Sequence, residues 1–149
     1  MKNEDTSKAL VSVITPMFNS SEFIAQTIYS VQKQTYLNWE MIIVDDCSSD
    51  DSIEVTKRAV LNDPKIRLVK LKSNVGPAQS RNVALEKSYG RFIAFLDSDD
   101  IWYPEKLEKQ ISFMLERKAP ISFTSYELID ENGISKNQTI NSVEKLSQS

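Results

Sequence analysis

Short apolar runs alternate with amphipathic segments along most of this chain, and this alternation limits the folds it can adopt. Runs such as 11–15 and 92–96 are rich in β-branched or aromatic residues and have the length of buried strands. The segments between them carry apolar residues at helical spacing. A repeated strand–helix order predicts an α/β fold with a mainly parallel sheet and helices on both faces.

The pattern predicts specific elements and a single domain. We expect strands at 11–15, 40–44, 66–71, 92–96 and 121–129, with a short return strand at 134–138 after a turn. Pro16 should end the first strand, the strand at 92–96 should be central and covered on both faces, and Gly90 should cap the preceding helix. Residues 1–9 read as a polar tail, 10–138 as the domain and 139–149 as a frayed end.

Composition excludes several classes of protein. The 149 residues include no histidine and one cysteine, which rules out Ser-His-Asp catalysis, histidine-ligated zinc and a disulfide within the chain. The net charge of −3 provides no basic field for nucleic acid. We also find no signal peptide or membrane-spanning run, and a cytoplasmic setting fits.

Acidic and polar residues follow three of the predicted strands. Asp97, Asp99 and Asp100 follow the strand at 92–96, Asp45 and Asp46 follow the strand at 40–44, and the polar end of the first strand runs from Thr15 to Asn19. In open parallel sheets, ligands bind beyond the carboxyl ends of the strands, so these groups should converge. Carboxylates this close repel one another unless a cation neutralises them, and oxygen ligands suit Mg²⁺ or Mn²⁺. The alternative is a solvated acidic turn that caps the next helix.

For other candidate residues, a purely structural role is an alternative to ligand binding. Phe18 can stack on a base or belong to the core, and Asp45 and Asp46 can both be helix caps. Gly76 opens a helix whose N-terminus, with Arg81, favours anions such as a diphosphate. Arg81 can equally form an ion pair with an acidic loop.

Taken in order, these segments resemble the family 2 glycosyltransferases, which have the GT-A (Rossmann-like) fold. The resemblance spans roughly residues 10–130, and the ordered set is specific although each piece alone is weak. The matching positions are 11–16, Phe18, Asn19, Ser30, Val31, Gln34, Thr35, 40–46, Ser48, 74–77, Arg81, Asn82, Gly90, 96–100, Trp102 and Pro104. Among relatives, the chain looks most like bacterial enzymes of cell-wall or surface polysaccharide synthesis.

The resemblance implies roles for individual residues. Asp46 would accept the N3–H of uracil, Phe18 would lie against the base, and Pro16 would shape the loop beneath it. Asp99 would bind Mn²⁺ or Mg²⁺ directly, and Asp97 would reach the ribose or the metal shell. The predicted nucleotide-binding set is Pro16, Phe18, Asn19, Asp46, Gly76, Arg81 and Asp97. The implied activity is inverting transfer from a UDP-sugar to a glycan or lipid-linked acceptor.

The chain departs from the family pattern in two ways. Cys47 stands where many relatives have glycine, and the chain is shorter than family members usually are. We therefore expect the catalytic base beyond Ser149 and assign no catalytic residue within the chain. A donor-binding fragment without catalysis is one alternative, and a phosphohydrolase with an Asp-x-Asp nucleophile is another. The resemblance leaves open a homo-oligomer and peripheral association of the full-length enzyme with the inner face of the membrane.

Overall fold

A computed structural model of the chain describes residues 9–142. Its centre is a parallel sheet in the order β3-β2-β1-β4. The strands are β1 (Val11–Met17), β2 (Trp39–Asp45), β3 (Ile66–Lys70) and β4 (Phe92–Phe95). The helices are α1 (Ile24–Gln32), α2 (Ser52–Val60), α3 (Pro77–Glu86) and α4 (Lys106–Arg117). The predicted α/β fold with a parallel sheet is confirmed.

Helices cover both faces of this sheet. Ile14 of β1 belongs to a buried cluster with Ile42, Val44 and Ala84 of α3. Met17 points to the opposite face, since side chains alternate along a strand. There its sulfur accepts a hydrogen bond from Thr56 of α2 at 3.3 Å. Each fully buried aliphatic side chain of this core contributes about 1.5–3 kcal/mol of burial free energy.

Pro16 does not end the first strand as predicted, because β1 continues through Met17. Proline lacks an N–H and is tolerated where a strand has a free side. β1 pairs with β2 as far as Met17, but with β4 only from Val11 to Ile14. Pro16 therefore lies beyond the last β4 partner, where its missing donor is harmless.

β4 is not the central strand covered on both faces that its composition suggested. It lies at one end of the described sheet and pairs with β1 alone. Ile93 and Phe95 are 39% and 56% exposed. An apolar run thus marks a strand here without revealing how many neighbours that strand has.

Residues 113–142 belong to a second compact unit. Its described part contains an antiparallel hairpin of β5 (Tyr126–Ile129) and β6 (Ser135–Ile140). The predicted strand at 121–129 is therefore shorter and is not part of the parallel sheet, because the tight turn at Asp130 returns the chain directly onto it. β6 extends to Ile140, into the segment expected to fray, whereas 1–8 and 143–149 lie outside the described residues.

Gly90 is required for a different reason from the one predicted. α3 ends at Glu86 with Lys87 as its C-terminal cap, so Gly90 is not the capping residue. A Cβ atom at Gly90 would lie 2.5 Å from the backbone nitrogen of Ser12. The glycine therefore permits close approach of the chain to β1.

None of the helices in the part of the chain that the structure describes has the length and apolar character needed to cross a bilayer.

Candidate functional site

The loops that follow β1, β2, β3 and β4 are joined by hydrogen bonds. We call this set, residues 18–23, 46–51, 71–76 and 96–101, the carboxyl edge. The backbone N–H of Ser20 donates to the Ser52 hydroxyl, and the Ser20 and Ser98 hydroxyls share a hydrogen bond, each at 2.7 Å. One residue after β1 thus contacts both the segment after β2 and the acidic turn after β4. This confirms the expectation that these loops converge.

Asp46 anchors the loop that follows β3. The residue is only 2% exposed, and its two carboxylate oxygens accept the N–H groups of Val75 at 2.7 Å and Gly76 at 2.8 Å. The Asn74 amide also donates to the Asp46 carbonyl at 3.2 Å. Each carboxylate oxygen can accept more than one hydrogen bond, so Asp46 keeps capacity for a further donor.

Gly76 is needed for its backbone conformation. Its φ of 86° lies in a region that side chains disfavour, although a Cβ there would meet nothing within 4 Å. This conformation starts α3 with Pro77 in its first turn, as predicted, and directs the Gly76 N–H at Asp46.

Phe18 and Asn19 extend from the end of β1. Phe18 is 49% exposed, so it is not a core residue. Asn19 has a φ of 47°, and its side-chain oxygen accepts the N–H of Ser49 at 2.9 Å. The side chains of Asn19 and Ser20, although of the type that often caps helices, do not cap α1 and bond to other loops instead. Asn19 therefore joins the first two loops and leaves Phe18 open to solvent.

Asp50 links the same two loops, a role that its position in a polar segment before a helix does not reveal. Its carboxylate accepts the N–H of Ser52 at 3.0 Å and that of Ser21 at 3.1 Å. Desolvation acts to raise the pKa of Asp50, but hydrogen bonds from Ser52 and Ser21 outweigh it and lower the pKa to about 2. The charged form is therefore the one that the fold stabilises.

We expect Asp50→Asn to destabilise the chain by about 1 kcal/mol near pH 7. This cost is smaller than that of losing a buried charged hydrogen bond, because Asp50 is exposed and water screens its charge. Its pKa in the fold lies below the value of ~3.9 for an unfolded chain. The stabilisation is therefore complete above about pH 5 and disappears as the pH falls towards 2. Urea denaturation of both proteins at about pH 7 and about pH 3 measures this. An equal difference at the two pH values would contradict the assignment.

The three carboxylates of the acidic turn after β4 differ in their contacts and in their exposure to solvent. Arg81 of α3 forms an ion pair with Asp97 at 2.5 Å, which was one of the two readings of Arg81. Asp99 is exposed, and no cation or hydrogen-bond donor from residues 9–142 contacts its carboxylate. Partial desolvation, followed by the charges of Asp99 and Asp97, raises the pKa of Asp100. The turn therefore carries more negative charge than Arg81 neutralises.

The donor chemistry of this turn fits a divalent cation only when a ligand contributes to the site. No group of three or more His, Cys, Asp or Glu side chains suited to a metal ion occurs in the described range. Asp97 and Asp99 are hard oxygen donors of the kind that Mg²⁺ and Mn²⁺ prefer. Mg²⁺ is commonly held by one or two carboxylates together with phosphates and water. The arrangement suits a cation that arrives with a diphosphate.

Trp102 and Tyr103 differ in environment. Trp102 is 8% exposed, and the Lys106 ammonium lies 4.9 Å from the centre of its ring. Tyr103 is 72% exposed, so of these two aromatic residues only Trp102 packs in the interior. Partial desolvation of the Lys106 ammonium lowers its pKa.

The chain resembles known glycosyltransferases in sequence. The profile of "Glycosyl transferase family 2" matches residues 12–147. TuaG of Bacillus subtilis (strain 168), named as a teichuronic acid biosynthesis glycosyltransferase, is 47% identical over 139 residues, which cover 93% of this chain and 55% of TuaG. WfgD of Escherichia coli, named UDP-Glc:alpha-D-GlcNAc-diphosphoundecaprenol beta-1,3-glucosyltransferase, is 47% identical over 127 residues, with coverages of 84% and 49%. The chain spans about half the length of these curated relatives.

Solved structures show the same likeness. TarS 1-349 of S. aureus in complex with UDP superposes with a TM-score of 0.68 at 28% identity, covering 80% of this chain and 41% of that one. The corresponding complex with UDP-GlcNAc gives 0.68 and 28%, with coverages of 80% and 40%. The mannosyltransferase PcManGT from Pyrobaculum calidifontis, bound to GDP-Man and Mn2+, gives 0.67 at 22% identity over 80% of this chain and 35% of that one, a likeness in fold alone.

Proposed function

Because the chain belongs to glycosyl transferase family 2, we propose that it is the donor-binding part of an inverting glycosyltransferase that uses a UDP-sugar. The observation that carries this proposal is the joining of two acidic segments at the carboxyl edge through Ser20. The segment after β2 begins with Asp46, whose carboxylate is anchored by Val75 and Gly76. The acidic turn after β4 contains the exposed Asp99. Complexes of TarS with UDP and UDP-GlcNAc support the nucleotide.

The nucleobase would occupy the side of the carboxyl edge near Asp46. The remaining acceptor capacity of Asp46 suits the N3–H of uracil, while its bonds to Val75 and Gly76 fix its direction. Exposed Phe18 would lie against the base, and Pro16 and Asn19 would shape the loop that carries it. Gly76 would serve by orienting Asp46.

The diphosphate would occupy the side near the acidic turn. Asp99 would bind Mn²⁺ or Mg²⁺ directly, because it has no partner from residues 9–142, and Asp97 would reach the ribose or the metal shell. Arg81, already paired with Asp97, would contribute positive charge beside the phosphates. A bound divalent cation would stabilise the charge that develops on the departing diphosphate.

Transfer with inversion needs an acceptor hydroxyl to attack the anomeric carbon while the bond from that carbon to the diphosphate breaks. A base must take the hydroxyl proton. We propose that this base lies beyond Ser149 and that the acceptor is a glycan or a lipid-linked sugar. The name of WfgD includes a diphosphoundecaprenol acceptor, which supports the second type. A cytoplasmic enzyme at the inner face of the membrane would meet such a lipid.

Two alternative functions are donor binding without sugar transfer and hydrolysis of a phosphate ester, and the structure supports only the first as well as it supports transfer. Binding of donor without transfer is compatible with the same geometry, and it is distinguished by assaying sugar transfer to candidate acceptors. The phosphohydrolase pattern belongs after the first strand, whereas Asp97 and Asp99 follow β4 and β1 leads into Phe18 and Asn19. That topology argues against hydrolysis.

Alkylation of Cys47 tests the binding proposal directly. Cys47 is the only cysteine in the sequence, is exposed, and immediately follows Asp46. We expect UDP with Mn²⁺ to slow its reaction with iodoacetamide by about fivefold or more, because at about 80% occupancy only the free fraction still reacts. Mass spectrometry of the intact chain gives the rate.

ADP with Mn²⁺ is the matched control, because it offers the same diphosphate without the uracil N3–H. We expect little protection by ADP at the same concentration. Equal protection by both nucleotides would contradict uracil recognition at Asp46. No protection by either one would contradict nucleotide binding at this edge.

A further inference from the structure

Buried polar side chains form a stripe along α1 and the residues that flank it. Ser20, Thr27 and Gln34 are 8%, 0% and 3% exposed and are spaced seven residues apart. Seven residues are about two helical turns, so this spacing repeats one face of a helix. Gln34 is one of the positions that match the family pattern, yet the proposed function gives it no role. We call these three residues the α1 stripe.

Every member of the α1 stripe bonds to the segment that contains or follows the acidic turn. Ser20 shares a hydrogen bond with the Ser98 hydroxyl at 2.7 Å. The Gln34 amide donates to the Tyr103 carbonyl at 2.8 Å, and its oxygen accepts the N–H of Leu107 at 3.0 Å. The stripe therefore supports residues 98–107 at both ends.

Thr27 contacts the backbone of the acidic turn. Its hydroxyl lies 3.0 Å from the carbonyl oxygen of Ser98 and 2.9 Å from that of Asp100. These two residues flank Asp99 in the sequence, so one fully buried hydroxyl supports the backbone on both sides of it. A hydroxyl has a single hydrogen, which is shared between these two carbonyls and the more distant one of Phe23 at 3.5 Å. Its removal would leave the carbonyls of Ser98 and Asp100 without this donor and would weaken the support of the turn.

We infer that Thr27 is a positioning residue that sets the direction of the Asp99 carboxylate toward a metal ion and diphosphate. This inference rests on the proposed function, because it concerns the same site. Thr27 is fully buried, so it would act through the backbone of the turn rather than by contact with either ligand. Polar groups that orient a metal ligand typically change metal affinity or activity by 10–100-fold when they are removed.

The measured quantity is the gain in UDP affinity that Mn²⁺ provides over EDTA, determined by calorimetry on the full chain. We expect Thr27→Val, which keeps the side-chain shape, to reduce this gain by about tenfold or more. The affinity in EDTA should change by less than about twofold, since the nucleobase contacts near Asp46 are unaffected. Thr27→Ser keeps the hydroxyl and should restore most of the gain.

Thr56→Val is the matched control for loss of a buried threonine hydroxyl. Thr56 is also 0% exposed, but its hydroxyl bonds to the Met17 sulfur rather than to the acidic turn. We expect it to lower thermal stability while leaving the Mn²⁺-dependent gain unchanged. An equal loss of the gain in both variants would show a general effect of destabilisation and would overturn the role of Thr27.

The remaining outcomes separate this inference from the proposed function. A wild-type chain with no Mn²⁺-dependent gain would refute the proposed metal site itself. A wild-type gain that Thr27→Val leaves intact would overturn the positioning role alone. If Thr27→Val does not fold, Ser20→Ala removes the adjacent support at Ser98, and we expect it to lower the gain by about threefold. An unchanged gain in Ser20→Ala would then count against the inference.

Discussion

Asp99→Asn is expected to reduce Mn²⁺-dependent UDP binding by at least about 100-fold, or ~2.7 kcal/mol. Within the acidic turn, Asp97 forms an ion pair with Arg81, and the carboxyl of Asp100 is partly desolvated. Asp99 is subject to neither constraint. The amide keeps the shape of the side chain but removes the negative charge that a divalent cation requires. Calorimetry with UDP, in Mn²⁺ and in EDTA, measures the loss.

Folding stability should change by no more than about 0.5 kcal/mol in this variant, because Asp99 is exposed and no residue within 9–142 donates to it. Asp51→Asn is the matched control. Asp51 is exposed and lies at the start of α2, and its side chain makes no capping hydrogen bond. It should bind UDP with Mn²⁺ as the wild type does. Metal-dependent affinity that survives in Asp99→Asn would require a different metal ligand.

Asp46→Asn is expected to cost about 2–3 kcal/mol of folding stability and to weaken UDP binding by about tenfold or more. Both carboxylate oxygens of Asp46 accept backbone N–H groups in a nearly solvent-free environment. An amide supplies only one acceptor, and its NH₂ group would face the N–H of Val75 or Gly76. Urea denaturation measures the stability, and calorimetry measures the affinity.

Asp45→Asn is a close control, because the two neighbouring aspartates are equally buried, at 1% and 2% exposure. One Asp45 oxygen accepts the Ser48 N–H at 3.3 Å, and the other has no hydrogen-bond partner among the described residues. Removing a buried, poorly solvated charge offsets the loss of that single contact, so we expect a change below about 1 kcal/mol. Similar losses in the two variants would indicate that burial, rather than the anchoring of Val75 and Gly76, determines the cost.

The parts of the fold that sequence predicts are those set by local periodicity. The four parallel strands and the four helices follow from apolar spacing, and the start of α3 follows from Gly76 and Pro77. The edge position of β4 does not follow, because its apolar run resembles that of a central strand. The need for a glycine at position 90 does not follow from local sequence either, because it arises from the close approach to Ser12, which is distant in the chain.

The candidate site shows the same division. Acidic residues after two predicted strands indicated the clusters at 45–46 and 97–100, and the family resemblance singled out Asp46, Asp97 and Asp99 within them. The groups that hold them in place, such as Thr27 and Asp50, carried no signal, because one buried hydroxyl or one more aspartate in a loop looks ordinary. Their partners lie tens of residues away, and only the folded chain brings them together.

The position of β4 also bears on how the purified chain behaves in solution. Within residues 9–142, β4 lies at the end of the sheet with Ile93 and Phe95 partly exposed, so the backbone groups on its outer side have no strand partner there. Such a border is a template on which another copy can add a strand. β4 is therefore the part of the described sheet at which self-association of this chain would begin, through backbone hydrogen bonds between strands.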